Sequence, residues 1–189
     1  MRVLGVVGSP RKEGNSDTLV DEVLRGAKDA GAEVEKLFLN DLEIKPCQAI
    51  CVDYCKAKGD CKINDDMSPL YSKLYDSDAI VLGTPLYWYG PSAQLKAFMD
   101  RWYAFSHPRF IHKMKGKKVV LVAPFEESDF SAADPLVQMF TKSLDYLEAE
   151  FHAKLLVSAG EKGAVKLDTE AMSQAYKIGL HLKSISKGP

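Results

Sequence analysis

Residues 2–16 read RVLGVVGSPRKEGNS, and the change of character halfway along this stretch decides the fold. Arg2 to Gly8 is a near-continuous apolar run, as expected of a strand buried on both faces of a parallel sheet. Gly8-Ser9-Pro10-Arg11-Lys12-Glu13-Gly14 then breaks the run, and Asn15 to Ala30 carries Leu19, Val20, Val23, Leu24 and Ala27 at helical spacing before stopping at Gly31. Strand, glycine-bounded loop and helix make a βα unit whose loop lies at the strand's carboxyl end. In open α/β sheets ligands bind at that end.

Working outward, the same alternation continues. Strands are expected at Glu33 to Leu39, Ala79 to Gly83, Lys118 to Ala123 and Lys154 to Ser158, which with the first makes five. Helices are expected at Ser92 to Trp102, Pro135 to Phe151 and roughly Thr169 to Ile185, with an exposed turn at Gly160 to Lys166. The fold class is α/β, a doubly wound five-stranded parallel sheet of strand order 2-1-3-4-5. With 189 residues, one domain spanning 1–189 is the expectation, carrying a cysteine-rich insertion at about 45–66.

Charge excludes some partners. Against 26 acidic side chains stand 25 basic ones, so no broad positive field is offered to nucleic acid or anionic lipid. The basic cluster Lys113, Lys115, Lys117 and Lys118 reads as a solvated loop before a strand, or as a weak attractor of an anionic dinucleotide. No apolar run reaches the length that spans a bilayer, and the N-terminal run is too short for a signal-peptide core. A cytoplasmic protein is expected, without membrane or nucleic-acid partners.

Two loops carry the candidate chemistry. In the first, free N–H groups of a helix N-terminus stand beside the Ser9 and Ser16 hydroxyls, the Asn15 amide and the Arg11 guanidinium, which together suit a phosphate. No G-K-[ST] and no G-x-G-x-x-G is present, so a monophosphate fits better than the two familiar nucleotide loops; simple helix capping by Asn15 or Ser16 is the alternative. The second, Gly83-Thr84-Pro85-Leu86-Tyr87-Trp88-Tyr89-Gly90-Pro91-Ser92, follows strand three and sets three aromatics on one Pro- and Gly-bounded loop. They suit stacking on or edging a flat heterocycle, or alternatively covering a dimer contact. In this strand order the two loops flank the switch point and lie side by side.

In combination, Gly8-Ser9-Pro10-Arg11 with Gly14-Asn15-Ser16, Lys45-Pro46-Cys47, Asp65-Asp66-Met67, Thr84-Pro85-Leu86-Tyr87, and Gln94-Leu95-Lys96 through Asp100-Arg101 resemble the NADPH-dependent FMN reductase and iron–sulfur flavoprotein group of flavodoxin-like proteins. The resemblance runs from about Met1 to Arg101. It implies FMN as cofactor, with Ser9, Arg11, Asn15 and Ser16 on the phosphate and Pro85, Leu86, Tyr87, Trp88 and Tyr89 against the isoalloxazine. It further implies NAD(P)H as co-substrate, an electron acceptor that is a small molecule or a redox protein, and a homodimer or homotetramer. A third contact loop is expected at Pro124-Phe125-Glu126-Glu127, on no pattern of its own. No side chain need act as general acid or base, so no catalytic residue is assigned, and His107 and His112 read as structural or solvated. A flavodoxin-like electron carrier without its own NAD(P)H turnover is the alternative reading, and a flavin-free, metal-stabilised binding module is a further one.

All four cysteines lie within 15 residues, spaced Cys47-x3-Cys51-x3-Cys55-x5-Cys61. If Cys47 to Cys55 is helical, three thiols line one face. Four thiolates can hold a [4Fe–4S] cluster, a suitable one-electron partner for a flavin, and the metal candidates are therefore Cys47, Cys51, Cys55 and Cys61. The iron–sulfur pattern that the chain resembles has two residues in each of the first two gaps where this chain has three, which changes where each sulfur points. Tetrahedral zinc, and thiols that are buried or idle, stay open as alternatives.

Overall fold

The computed structural model describes residues 1–183. Five parallel strands, β1 (Arg2–Val7), β2 (Glu33–Phe38), β3 (Ala79–Gly83), β4 (Lys118–Phe125) and β5 (Glu150–Ser158), form one sheet of order β2-β1-β3-β4-β5, the expected order. Among the described residues six α-helices accompany it: α1 (Asn15–Asp29), α2 (Val52–Lys58), α3 (Leu70–Asp76), α4 (Ala93–Asp100), α5 (Asp134–Tyr146) and α6 (Thr169–His181).

The strands are apolar throughout because both faces are covered. Along β1, Val3 and Val7 face a layer with Leu19, Val20 and Val23 of α1 and Ala175 of α6, while Leu4 and Val6 face Leu70, Phe98 and Phe140 of α3, α4 and α5. Alternate side chains of β3 and β4 divide the same way, Val81 and Val122 to the first layer and Leu82 and Leu121 to the second. Each fully buried aliphatic or aromatic side chain contributes roughly 1.5–3 kcal/mol relative to exposure.

Three expectations are corrected. The helix expected over Pro135 to Phe151 ends at Tyr146, because the chain turns through Glu148 at φ 54° and Phe151 enters the sheet opposite Val119. Apolar periodicity runs on through Leu147 and Phe151 without distinguishing helix from the buried strand that follows. The segment Gly160 to Lys166 is not wholly exposed, since Val165 is buried in the α1–α6 layer. Lys117 is not a solvated loop residue: its side chain is buried and its ammonium donates to the Ser77 carbonyl and, at 3.3 Å, to that of Tyr75. Burial lowers its pKa. The final helix ends at His181, short of the expected range, since Leu182 and Lys183 form a turn; Ser184 and Ile185 of that range lie outside the described residues.

Candidate functional site: a cleft at the carboxyl edge of the sheet

The β1 and β3 loops meet because glycine lets them. A Cβ on Gly8 would stand 2.7 Å from the Leu95 Cβ and 2.9 Å from the Ser92 Oγ. Through that gap the Gly8 N–H donates to the Gly83 carbonyl at 2.7 Å, and the Ser92 hydroxyl donates to the Gly8 carbonyl at 2.6 Å. Ser92 is fully buried, caps α4 by accepting from the Leu95 N–H, and its own N–H donates to Thr84 Oγ1.

Between the loops lies a cleft of about 470 Å3. Ser9, Arg11, Asn15 and Ser16 line one end, and Pro85, Leu86 and Tyr87 line the β3 side. Pro124 to Glu127 and Ala159 to Lys162 complete it. Ser9 Oγ accepts from the Arg11 N–H at 3.2 Å, which shapes the turn and leaves the hydroxyl proton for another acceptor. Arg11 is exposed at the rim with its guanidinium free to pair with an anion.

Asn15 does something that the sequence did not announce. Its amide nitrogen donates to the carbonyls of Ala159 and Glu161, each at 2.8 Å, and its oxygen accepts from the Val165 N–H at 3.3 Å. The side chain's donors are thereby committed to the segment after β5, which brings Lys162 and Glu161 to the cleft. That segment was missed as site material because a glycine-bearing turn carries no periodic signal.

The aromatic loop is divided. Tyr87 lines the cleft and is 44% exposed, whereas Trp88 is 96% exposed and does not line it. Tyr87 and Gly90 exchange backbone hydrogen bonds at 2.9 and 3.0 Å across a two-residue turn whose central residues, Trp88 and Tyr89, sit at φ 49° and 62°. Positive φ at both positions is the geometry that Asn-Gly normally fills. Two aromatic residues there store roughly 1–3 kcal/mol of strain each.

The cysteine segment is framed from outside. Buried Arg101 grips both carboxylate oxygens of Asp65 at 2.7 and 3.2 Å, and donates to the carbonyls of Lys45 and Ile63. Burial opposes the Asp65 charge, but the Arg101 bonds and the N–H groups of Lys45 and Met67 outweigh it and hold the carboxyl below its usual range. Helix begins only at Val52, so Cys47 is not in register with the others. The sulfurs of Cys51, Cys55 and Cys61 lie within 4.8 Å of one another, while exposed Cys47 stands outside that set. Burial, followed by the neighbouring Cys61 and Cys51, pushes the Cys55 thiol up to about 12. A donor set of three converging thiols suits a thiophilic metal centre; the fourth corner of a cysteine-ligated cubane would need Cys47 to swing inward.

A doubly wound α/β sheet with a hydroxyl- and arginine-lined cleft at its switch point defines the class: a flavodoxin-like fold. Residues 1–185 match the family described as NADPH-dependent FMN reductase, and the chain belongs to that family. Over 101 residues it is 46% identical to an iron-sulfur flavoprotein of Methanocaldococcus jannaschii, a match covering 53% of this chain and 51% of that protein. The chain thus spans about half the length of the iron-sulfur flavoproteins it matches. Among solved structures, an NAD(P)H:quinone oxidoreductase from Methanothermobacter marburgensis superposes with TM-score 0.80 at 16% identity, over 100% of this chain and 99% of that one. An FMN-dependent NADH-azoreductase from Bacillus anthracis, in complex with FMN, superposes with TM-score 0.73 at 12% identity, over 97% and 100%. At such identities the likeness shows the fold alone. Among the described residues, no helix is long and apolar enough to cross a membrane.

Proposed function

We propose that the cleft binds FMN and that the protein is an oxidoreductase carrying electrons from NAD(P)H through the flavin to a small-molecule or protein acceptor. The observation that carries this reading is the single cleft in which an anion cradle, Ser9, Arg11 and Ser16 at the α1 N-terminus, faces the Pro85-Leu86-Tyr87 shelf. When bound, FMN supplies hydride acceptance from a nicotinamide and release of electrons singly or in pairs. The chain's share is positioning: Arg11 and the two serines fix the phosphate, Asn15 holds the post-β5 segment against it, and Pro85 to Tyr87 bound the ring. Trp88 and Tyr89, exposed on the strained turn, stand where an incoming nicotinamide or a second subunit would meet the ring.

Family membership and the bound FMN of the azoreductase support the cofactor. The iron-sulfur naming of several relatives supports a metal centre on the segment holding Cys47, Cys51, Cys55 and Cys61, for which a [4Fe–4S] cluster is the candidate. A homodimer or homotetramer is part of the same reading, and so is one domain over 1–189 with an insertion at about 45–66. Anaerobic stopped flow tests the activity. Bleaching of the flavin by NADH or NADPH is the expected result; a flavin reduced only by a ferredoxin system would make the protein an electron carrier instead.

A further inference from the structure

We propose that Cys51, Cys55 and Cys61 are a three-thiolate metal site from which Cys47 is excluded as a ligand, so that a metal centre held there keeps one coordination position open to a ligand from outside the chain. This deepens the metal reading of the cysteine segment and is independent of FMN binding.

The three sulfurs already converge, within 4.8 Å of one another. Thiolates at about 2.3 Å from one tetrahedral cation stand roughly 3.8 Å apart, so a small rotamer adjustment closes this set on metal. The convergence is built by the backbone. The Cys55 N–H donates to the Cys51 carbonyl at 3.1 Å, which is the helical relation that stacks residue i+4 over residue i. Gly59 then ends α2 at φ 73°, where a Cβ would also stand 2.5 Å from the Phe110 ring, and the chain doubles back to deliver Cys61. Tyr75 donates to the Gly59 carbonyl, and Arg101 holds the carbonyls on either side of the segment, at Lys45 and Ile63.

Cys47 shares none of this. It precedes the helix on an exposed stretch, where its i, i+4 spacing to Cys51 has no helical backbone to stack the two thiols as Cys51 and Cys55 are stacked. A cavity of about 310 Å3 is lined by Cys47, Cys51 and Cys55 together with Val52, Asp100 and Tyr103. That space adjoins Cys51 and Cys55 and gives an outside ligand room to reach a metal there. The guanidinium of Arg101 holds the carbonyls of Lys45 and Ile63 that flank the segment, and its Nε is buried without a protein partner among the described residues. A cation in that place offsets the negative charge that three thiolates leave uncompensated on a divalent metal.

The test is metal analysis of the full chain purified without oxygen or chelators, for the parent and the single variants C47S, C51S, C55S and C61S. Iron, zinc and acid-labile sulfide are measured per chain, with quenching of FMN fluorescence as a separate control on folding. C47S should retain the parent's metal content, and C51S and C61S should lose it while still quenching FMN. Because Cys55 is buried, C55S alone carries no weight if it fails to fold. Iron with sulfide identifies a cluster on three thiolates and zinc a single ion; either agrees with the site. The open position is read with Co2+-loaded protein, whose visible bands should shift on adding 2-mercaptoethanol in the parent and in C47S alike. Loss of metal from C47S equal to that from C61S, bands indifferent to the added thiol, or a parent that takes up no metal would overturn the proposal. Failure to quench FMN by a protein that holds metal would sink the flavin reading and leave this one standing.

Discussion

Arg11 on the β1–α1 loop and Asn15 at the first residue of α1 sit four residues apart and do opposite kinds of work. Arg11 is exposed and its guanidinium makes no hydrogen bond or ion pair among the described residues, so its charge is available to a ligand; Asn15 is buried with its amide spent on Ala159, Glu161 and Val165. Arg11→Ala should therefore weaken FMN binding by about 1.5–3 kcal/mol, the worth of a charge-assisted hydrogen bond, and leave stability nearly unchanged. An unaltered dissociation constant in a fluorescence titration would remove Arg11 from the site. Asn15→Ala should instead act on both quantities. Orphaned backbone groups cost about 1–3 kcal/mol in a urea melt, and release of the post-β5 segment weakens FMN as a consequence. A variant of full stability that still loses FMN would show that Asn15 contacts the ligand itself.

At the scale of the element, the β3–α4 loop is a tight turn made from the wrong residues. Trp88 and Tyr89 occupy left-handed backbone that Asn-Gly would accept without strain, and Trp88 gains no burial within the chain in return. Replacing the pair, Trp88→Asn with Tyr89→Gly, should raise stability by about 1–2 kcal/mol and lower NAD(P)H-dependent flavin reduction. A thermal melt and stopped flow check the two halves of that expectation. The opposite balance holds at the Arg101–Asp65 pair, where both side chains are almost wholly buried. Asp65→Asn should cost about 3–5 kcal/mol at neutral pH by stranding the guanidinium. The folded Asp65 has a depressed pKa, so its contribution is present above the ordinary carboxylate range and is lost as pH falls through the folded value. The acid limb of a stability-against-pH curve should accordingly flatten in Asp65→Asn.

For the molecule as a whole, the strands and the two loops that now line the cleft were legible because parallel strands buried on two faces are apolar without interruption, and β1, β3 and β4 are such strands; their order came from the resemblance and not from the apolar runs. Helix α3 went unmarked although Leu70, Tyr71 and Leu74 bury one face, since seven residues are too few for a clear period. The Asn15 clamp joins residues 144 and 146 positions apart, and no local pattern encodes a contact at that distance. The Arg101–Asp65 pair was present as two motif residues whose meeting only the fold reveals. The cysteine spacing gave the region and left the grouping open, because three thiols converge only through the reversal at Gly59.

The proposed function requires that this cleft hold a flavin which a nicotinamide nucleotide reduces. A visible absorption spectrum of the chain purified without oxygen and supplied with FMN, recorded before and after NADH or NADPH, tests it most directly. Two resolved flavin bands that travel with the protein and bleach on adding the nucleotide are the predicted result. Protein that stays colourless after incubation with FMN would contradict it.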